Sequence, residues 1–203
     1  MKEITNYKKI ESIFKRNDGF VTRKDIDKER IPSWFFSEFV KKNHLKKIAP
    51  GFYASDDYAV DDYFIFQMRY PKYIFSGMSA LYLHHLTGRI PDDMTVTCPQ
   101  GYHPSKNSLP CLKVTSISNQ ELYALGIIEI ETMFGNKVSA YDKERTICDL
   151  IKYRDEYDGE IFVKAIKTYV SNYLDQMKLF KYAKQMKIEK KVFEIMEIAS
   201  NEN

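Results

Sequence analysis

The stretch Val21–Ala54, VTRKDIDKERIPSWFFSEFVKKNHLKKIAPGFYA, carries the strongest structural signals in this chain. Thr22 is a good helix N-cap, and Asp25 supplies the acid of a shortened capping box three residues later. A short helix is therefore expected to run to about Lys28. Pro32 then restarts the chain, because proline is tolerated only in the first turn of a helix.

A longer helix is predicted over residues 33–43, where four apolar side chains recur on one face. Asn43 suits the left-handed conformation that ends many helices. Two short segments then flank Ala49-Pro50, which indicates a compact β-hairpin. With another helix predicted over Tyr7–Arg16, the order is helix, short helix, helix, hairpin. That order is typical of a winged helix-turn-helix.

The distribution of charge supports a phosphate-binding role for this first part. Residues 1–50 hold thirteen Lys/Arg and seven Asp/Glu, a net charge of +6. The rest of the chain holds eighteen Lys/Arg and twenty-one Asp/Glu, a net charge of −3, so the overall +3 hides a basic head on a slightly acidic body. Attraction to nucleic-acid phosphate is the commonest reason for such an asymmetry.

The predicted winged helix offers two sets of DNA contacts. Its third helix would enter the major groove, where the exposed face meets base edges. The candidates on that face are Ser33, Trp34, Ser37 and Lys41. The candidates for phosphate contacts are the cations that begin the preceding helix and those of the hairpin: Arg23, Lys24, Lys46 and Lys47. Two alternatives stay open: Trp34 packs against Tyr53 instead, or the whole head binds a protein and its charge is incidental.

The body of the chain is predicted to be a mixed α+β domain. We place the boundary after residue 57, giving a head of residues 1–57 and a body of 58–203, joined by an Asp-rich connection. The expected helices cover Tyr63–Arg69, Ser76–Leu86, Asp142 or Lys143 to Tyr153, and two or three segments within Ile161–Ile198. The expected strands are Met94–Cys98, Leu112–Ile117, Ile127–Thr132 and Lys137–Ala140, with an exposed loop over Pro99–Pro110.

The segment ERTICDLI, residues 144–151, has the spacing of an amphipathic helix. Arg145 and Asp149 are four residues apart and therefore share one helical face, where they are expected to form an ion pair. A structural helix with a local ion pair is the favoured interpretation on physical grounds alone.

No catalytic, metal or cofactor motif stands out. The three cysteines, Cys98, Cys111 and Cys148, are widely spaced, so we expect reduced thiols without a disulfide or zinc site. The adjacent His84-His85 pair lacks the i, i+4 spacing of a metal-binding helix, and His44 and His103 lie far away in sequence. A pairing of Cys98 with His85 or His103 as nucleophile and base lacks any supporting motif. No enzyme activity is therefore expected.

A metal-dependent nuclease remains the less favoured enzymatic alternative. It would use the carboxylates of Asp158 and Glu160 together with Lys164. The sequence also lacks a continuous apolar stretch long enough to span a membrane, and its N-terminus does not look like a signal peptide. We therefore expect a cytoplasmic protein that does not interact with membranes.

Four segments together resemble one known family. Val21–Ala54 is similar to the N-terminal winged helix of AbiEi-type antitoxins. FSGMSALYLHHLT (75–87), MTVTCPQG (94–101) and YDKERTICDLIK (141–152) resemble the C-terminal domain of that family, in the right order. The resemblance covers most of the chain. One departure is Asn43-His44, where relatives more often have glycine at the helix stop.

This resemblance implies the antitoxin of a bacterial abortive-infection system of toxin–antitoxin type IV. Such proteins repress their own operon by binding inverted repeats in its promoter. They also neutralise a nucleotidyltransferase toxin through the C-terminal domain, without a stable toxin–antitoxin complex. A free monomer would suffice, with two copies binding cooperatively to two half-sites on double-stranded DNA.

The resemblance also implies site residues. The family's recognition positions match Arg23, Ser33, Ser37, Lys41, Lys46 and Lys47. For the antitoxicity surface of the body, the basic candidates are Lys106, Lys113, Lys137, Arg145, Lys152 and Arg154.

Overall fold

The computed structural model describes residues 2–102 and 112–201 of the chain. The fold is α+β: among the described residues there are ten α-helices and two β-sheets. The chain divides into two compact units, Met1–Ile65 and Phe66–Asn203. The division therefore falls after Ile65 rather than after residue 57, where the sequence predicts it.

The first unit combines three helices with a small antiparallel sheet of strand order β1-β3-β2. The predicted helices and the predicted hairpin are all present, whereas the first strand was not predicted. The elements in chain order are α1 (Lys2–Arg16), β1 (Phe20–Thr22), α2 (Arg23–Lys28), α3 (Ser33–Lys42), β2 (Lys46–Ala49) and β3 (Phe52–Ala54). A further helix, α4 (Asp62–Arg69), crosses the boundary between the two units.

The start of α2 confirms the predicted capping box. The Oγ1 atom of Thr22 accepts a hydrogen bond from the backbone N–H of Asp25 at 3.2 Å. In return, the Asp25 carboxylate accepts hydrogen bonds from the backbone N–H of Thr22 at 3.3 Å and from its hydroxyl at 2.6 Å. Because the cap satisfies N–H groups that the helix cannot, it fixes where α2 begins.

The end of α3 differs from the prediction in one residue. Asn43 keeps a negative φ of −98°, and it is His44 that adopts the left-handed conformation, with φ of 51°. The N–H of His44 donates to the carbonyl of Lys41, and the N–H of Leu45 donates to that of Val40. This is the Schellman pattern, in which the left-handed residue follows the C-cap. The prediction that Asn43 itself is left-handed was therefore wrong by one position.

The core of the first unit is formed by apolar side chains from all three helices and from β1. Ile10 on α1, Val21 on β1 and Ile26 on α2 are fully buried. The helix α3 contributes its inner face, which consists of Phe35, Phe36 and Phe39. Because this face is committed to the core, the opposite face of α3 is left to solvent.

The second unit is built around a five-stranded mixed sheet of strand order β6-β5-β4-β8-β7. Two neighbouring pairs, β4 with β8 and β5 with β6, are parallel, and the other two are antiparallel. The strands are β4 (Ile74–Phe75), β5 (Met94–Pro99), β6 (Leu112–Ile117), β7 (Ile127–Glu131) and β8 (Lys137–Tyr141). The helices are α5 (Gly77–Leu83), α6 (Gln120–Ala124), α7 (Lys143–Lys152), α8 (Gly159–Asn172), α9 (Gln176–Gln185) and α10 (Glu189–Asn201).

The predicted strands of this unit are all present, but three elements differ from expectation, one of them the unpredicted short helix α6. The helix predicted over Ser76–Leu86 covers only Gly77–Leu83, because His85 takes a positive φ of 57° and ends it. The central strand Ile74–Phe75 was missed because two residues are too short to show a periodic pattern.

A single helix, α7, organises the packing of the second unit. Its side chains Ile147, Cys148, Leu150 and Ile151 are buried in a cluster that includes residues from α8, α9 and α10. Asp142 caps the helix by accepting a hydrogen bond from the N–H of Arg145 at 2.8 Å. Across the described part of the chain, no helix is both long and apolar enough to cross a membrane.

Candidate nucleic-acid interface

The outer face of α3 carries a line of polar residues. Ser33, Ser37 and Lys41 are spaced four residues apart, so they lie above one another on one side of the helix, and all three are exposed. The buried aromatic residues of α3 occupy the opposite side. The structure therefore places these three candidates together on one accessible surface.

Arg23, at the start of α2, is connected to this line by hydrogen bonds. Its Nε atom forms an ion pair with Asp27 at 3.0 Å, and its Nη2 atom donates to the Ser33 hydroxyl at 2.6 Å. The Ser37 hydroxyl donates to the backbone carbonyl of Ser33 at 3.1 Å. An Arg–Asp pair thus holds the beginning of α3 against α2, and Asp27 is a residue of the site that sequence reasoning missed. Its i, i+4 spacing from Arg23 was the signal that could have found it.

Trp34 lies beside this line and is 53% exposed. Its ring packs against Phe35, with ring centroids 4.0 Å apart. Tyr53 is instead contacted by the ring of Phe36, edge to face at 5.2 Å. Of the two predicted positions for Trp34, the structure therefore shows the exposed one, because its neighbour Phe36 takes the place against Tyr53.

The two lysines of the hairpin lie on opposite faces of the sheet. Lys46 pairs in register with Ala54, and Lys47 pairs with Tyr53. Since successive residues of a strand alternate between faces, Lys47 shares the face of Tyr53, which packs on the helical core. Lys46 is on the other face and forms an exposed ion pair with Asp56 at 3.1 Å. The two side chains are therefore not equivalent candidates for one phosphate.

The tip of the hairpin lies next to α2. The carbonyl of Gly51 accepts a hydrogen bond from the backbone N–H of Arg23 at 2.7 Å. Gly51 has a φ of +75°, a conformation that favours glycine. Lys24 follows Arg23 and is exposed. Arg23 and Lys24 thus occupy the same end of the unit as the hairpin tip.

One residue proposed for the antitoxicity surface is not on the surface. Arg145 is only 2% exposed, and its Nε atom forms an ion pair with Asp149 at 3.0 Å. Its Nη1 atom donates to the carbonyls of Leu122 and Leu125. The prediction of an accessible Arg145 was therefore wrong, because a buried guanidinium must satisfy its donors inside the protein. The predicted ion pair with Asp149 is confirmed.

The other basic candidates of the second unit are spread over several elements. Lys113, Lys137 and Lys152 are exposed, and Lys113 has Asp93 as an ion-pair partner at 3.9 Å. Arg154 is half-buried, where its guanidinium lies 4.3 Å from the ring centroid of Phe162 and donates to the carbonyl of Tyr157. Lys106 lies outside the described residues.

One residue of the nuclease alternative has a structural role. Asp158 is the N-cap of α8 and accepts a hydrogen bond from the N–H of Glu160 at 2.8 Å. Within residues 2–102 and 112–201, no group of three His, Cys, Asp or Glu residues is arranged to hold a metal ion. Burial raises the pKa of the Cys98 thiol above its usual value, which disfavours the thiolate that a nucleophile requires.

A cavity of about 50 Å³ in the second unit is lined by polar side chains. Thr95, Thr97 and Thr115 line it from the sheet, and the buried pair Arg145 and Asp149 lines it from α7. A polar cavity of this size holds a few water molecules. It is too small for a nucleotide and therefore does not by itself define a binding function.

Comparison with known proteins gives a similarity at the level of the fold. No protein-family model and no curated protein matches this chain. The crystal structure of the RV2827C protein from Mycobacterium tuberculosis is similar, with a TM-score of 0.55 and 13% sequence identity. The similarity covers 89% of this chain and 71% of that one. At this level of identity the two proteins share a fold, and the similarity says nothing about a shared activity.

Proposed function

We propose that the first unit is a winged helix-turn-helix that binds double-stranded DNA and places α3 in the major groove. The observation that carries this proposal is the exposed line of Ser33, Ser37 and Lys41 on a helix whose other face is buried. Short polar side chains allow close approach to base edges, and the lysine adds attraction to phosphate. The order of helices and hairpin agrees with the docking geometry of this class.

The cations around this face have different roles in the proposed complex. Arg23 and Lys24 lie at the start of α2, where they would bind a backbone phosphate beside the groove. Lys46 would exchange the Asp56 carboxylate for a phosphate, because an exposed ion pair is weak. Lys47 lies on the sheet face that carries Tyr53 and would approach the DNA from the α3 side. Attraction between these cations and the phosphates would bring the protein to the DNA first, and α3 would then fix its position along the base sequence.

At the level of the whole chain, we infer an antitoxin of the AbiEi type that represses its own operon. This inference rests on the sequence resemblance and on the proposed DNA-binding head. Two copies would bind the two halves of an inverted repeat cooperatively. The second unit would neutralise a nucleotidyltransferase toxin without a stable complex, and its exposed basic candidates are Lys113, Lys137 and Lys152.

The test is a mobility-shift assay of the full-length protein with the DNA fragment upstream of its own gene, over a series of salt concentrations. We expect binding that exceeds binding to an unrelated fragment of equal length and that weakens steeply with salt. The slope of log K against log salt is about −0.9 for each phosphate contacted. Equal affinity for both fragments would remove the autorepressor, and no binding to either would remove DNA binding.

One observation favours a second candidate, a winged helix that binds a protein. Trp34 is 53% exposed on the same face as Ser37, and tryptophan is enriched in protein–protein interfaces. In that case Trp34→Ala would abolish binding to the partner, and binding to duplex DNA would be weak and independent of sequence.

A further inference from the structure

The hydrogen bonds around α3 have a fixed direction that follows from the chemistry of their partners. A guanidinium carries only donors, so the Ser33 oxygen must be the acceptor in its 2.6 Å hydrogen bond with Arg23 Nη2. A backbone carbonyl can only accept, so the Ser37 hydroxyl must be the donor in its 3.1 Å hydrogen bond with the carbonyl of Ser33.

These directions leave the two hydroxyl groups with different capacities. The Ser33 oxygen accepts from the cationic guanidinium with one lone pair and keeps its proton, so its hydroxyl is polarised toward donating to the outside. The hydroxyl proton of Ser37 is used, so Ser37 presents the lone pairs of its oxygen, an acceptor. A serine hydroxyl is normally ambiguous because it can rotate to donate or to accept. Here the neighbouring groups make Ser37 an acceptor and bias Ser33 toward donation.

We propose that α3 reads DNA with a donor at Ser33 and an acceptor at Ser37, a polarity set by the Asp27–Arg23 pair. This inference rests on the proposed function and deepens it. In the major groove, adenine and cytosine present an amino donor, whereas guanine and thymine present only acceptors. Ser37 therefore selects adenine or cytosine on the strand it contacts. Ser33 tolerates every base that has a major-groove acceptor and disfavours cytosine, which has none.

The spacing of the two serines sets the distance between the two selected bases. Residues four apart on a helix are separated by about 6 Å along its axis. Base pairs are stacked about 3.4 Å apart, so the two contacted positions are separated by at most about two steps. The expected half-site therefore contains an adenine or cytosine and, within about two base pairs of it, a base other than cytosine.

Asp27 is a positioning residue in this arrangement. It accepts from Arg23 Nε at 3.0 Å, which leaves Nη2 directed at the Ser33 oxygen. Without the Asp27 carboxylate, Arg23 is free to turn away from Ser33, and the Ser33 hydroxyl regains the freedom to donate or accept. The base preference at the Ser33 position then weakens, whereas the preference at the Ser37 position persists.

The experiment is a selection of bound sequences from a pool of randomised duplexes, made with the full-length protein and with matched variants. Ser37→Ala should lose the adenine or cytosine preference by roughly two- to tenfold, the range of one hydrogen bond. Asp27→Ala, which removes the acceptor for Arg23 Nε, and Ser33→Ala should both lose the discrimination against cytosine and keep the Ser37 preference. Glu29→Ala is the matched control, because it removes the same charge near α2 from an exposed ion pair, with Lys9 at 3.0 Å. It should keep both preferences.

Each outcome separates this inference from the proposed function. If the wild-type protein binds duplexes but selects no sequence, the proposed autorepressor fails and this inference fails with it. If the wild type selects a motif that Ser37→Ala leaves unchanged, DNA binding stands and the donor–acceptor polarity is overturned. If Asp27→Ala selects the same motif as Glu29→Ala, the positioning role of Asp27 is overturned.

Discussion

The two units of this protein each contain an Arg–Asp pair with the same local geometry. In the first unit, Arg23 and Asp27 are four residues apart on a helix, with Nε and Oδ1 3.0 Å apart. In the second, Arg145 and Asp149 have the same spacing, with Nε and Oδ2 again 3.0 Å apart. The side chains of the first pair are 39% and 58% exposed, whereas those of the second are 3% and 13% exposed.

This comparison shows that burial, rather than local geometry, decides whether the arginine of an ion pair is accessible to other anions or serves stability. Water and salt compete with the exposed pair, so it adds little to stability, and Arg23 stays accessible to a phosphate. The buried pair is held by two backbone carbonyls as well as by Asp149, so Arg145 cannot leave without stranding a charge inside the protein. We therefore assign Arg145 to stability, whereas in the proposed DNA complex Arg23 serves recognition.

The largest expected difference is in stability. Arg145→Ala should lower the free energy of unfolding by about 3–5 kcal/mol, because it leaves the Asp149 carboxylate buried and unpaired. Arg23→Ala should lower it by less than about 1 kcal/mol, as is usual for an exposed ion pair. Urea denaturation followed by circular dichroism would measure both. Similar losses for the two variants would break the comparison.

A smaller effect should appear as a dependence of stability on pH, in the same buried region. His84 is buried, its Nε2–H donates to the carbonyl of Tyr141 at 2.7 Å, and burial lowers its pKa below the usual 6.5. The unfolded chain therefore binds a proton below pH 6.5 that the folded protein does not bind. Its contribution to stability is complete above that pH and is lost as the pH falls, by at most about 1.4 kcal/mol per pH unit.

His84→Gln should flatten this pH dependence, as measured by urea denaturation between neutral and mildly acidic pH. The matched control is His44→Asn in the first unit, where the side chain is exposed and asparagine tolerates the positive φ. The control should leave the pH dependence unchanged. An equal flattening in both variants would contradict the role of burial.

The smallest expected effect concerns DNA binding by the exposed pair. Arg23→Ala should reduce the salt slope of binding by about 0.9, which corresponds to one phosphate contact, and should leave the fold intact. Lys137→Ala is the control, because it removes an exposed cation from the second unit. Mobility shifts over a salt series would compare them. An unchanged slope in Arg23→Ala, or an equal reduction in both variants, would mean that Arg23 does not contact phosphate.

The structural features that the sequence predicted well depend on residues that are close together in the sequence. The capping box of Thr22 and Asp25, and the i, i+4 pair of Arg145 and Asp149, depend only on residues within one turn. The strand bounds of β6 and β8 agree closely with the prediction, because their apolar and β-branched residues show a clear pattern. The polar line on α3 followed from helical periodicity in the same way.

The features that sequence did not predict depend on distant residues. The burial of Arg145 requires the carbonyls of Leu122 and Leu125, which come from a separate segment. The left-handed residue at the end of α3 is His44 rather than Asn43, because the position of Leu45 in the core fixes the Schellman turn. The i, i+4 spacing of Asp27 from Arg23 was visible in the sequence, but only the folded arrangement shows Arg23 bound to Asp27 and to Ser33 at once.

The parallel pairing of β4 with β8 ties the folding of the second unit to the order of protein synthesis. Phe75 pairs with Ala140, so the central strand has no neighbour on that side until β8 has left the ribosome. Every strand of the first unit's sheet is available once Ala54 has been made. Domains generally fold as units from the N-terminus during translation, and long-range strand pairing is slow. The first unit, including the outer face of α3, can therefore fold before β8 has been synthesised and has paired with β4.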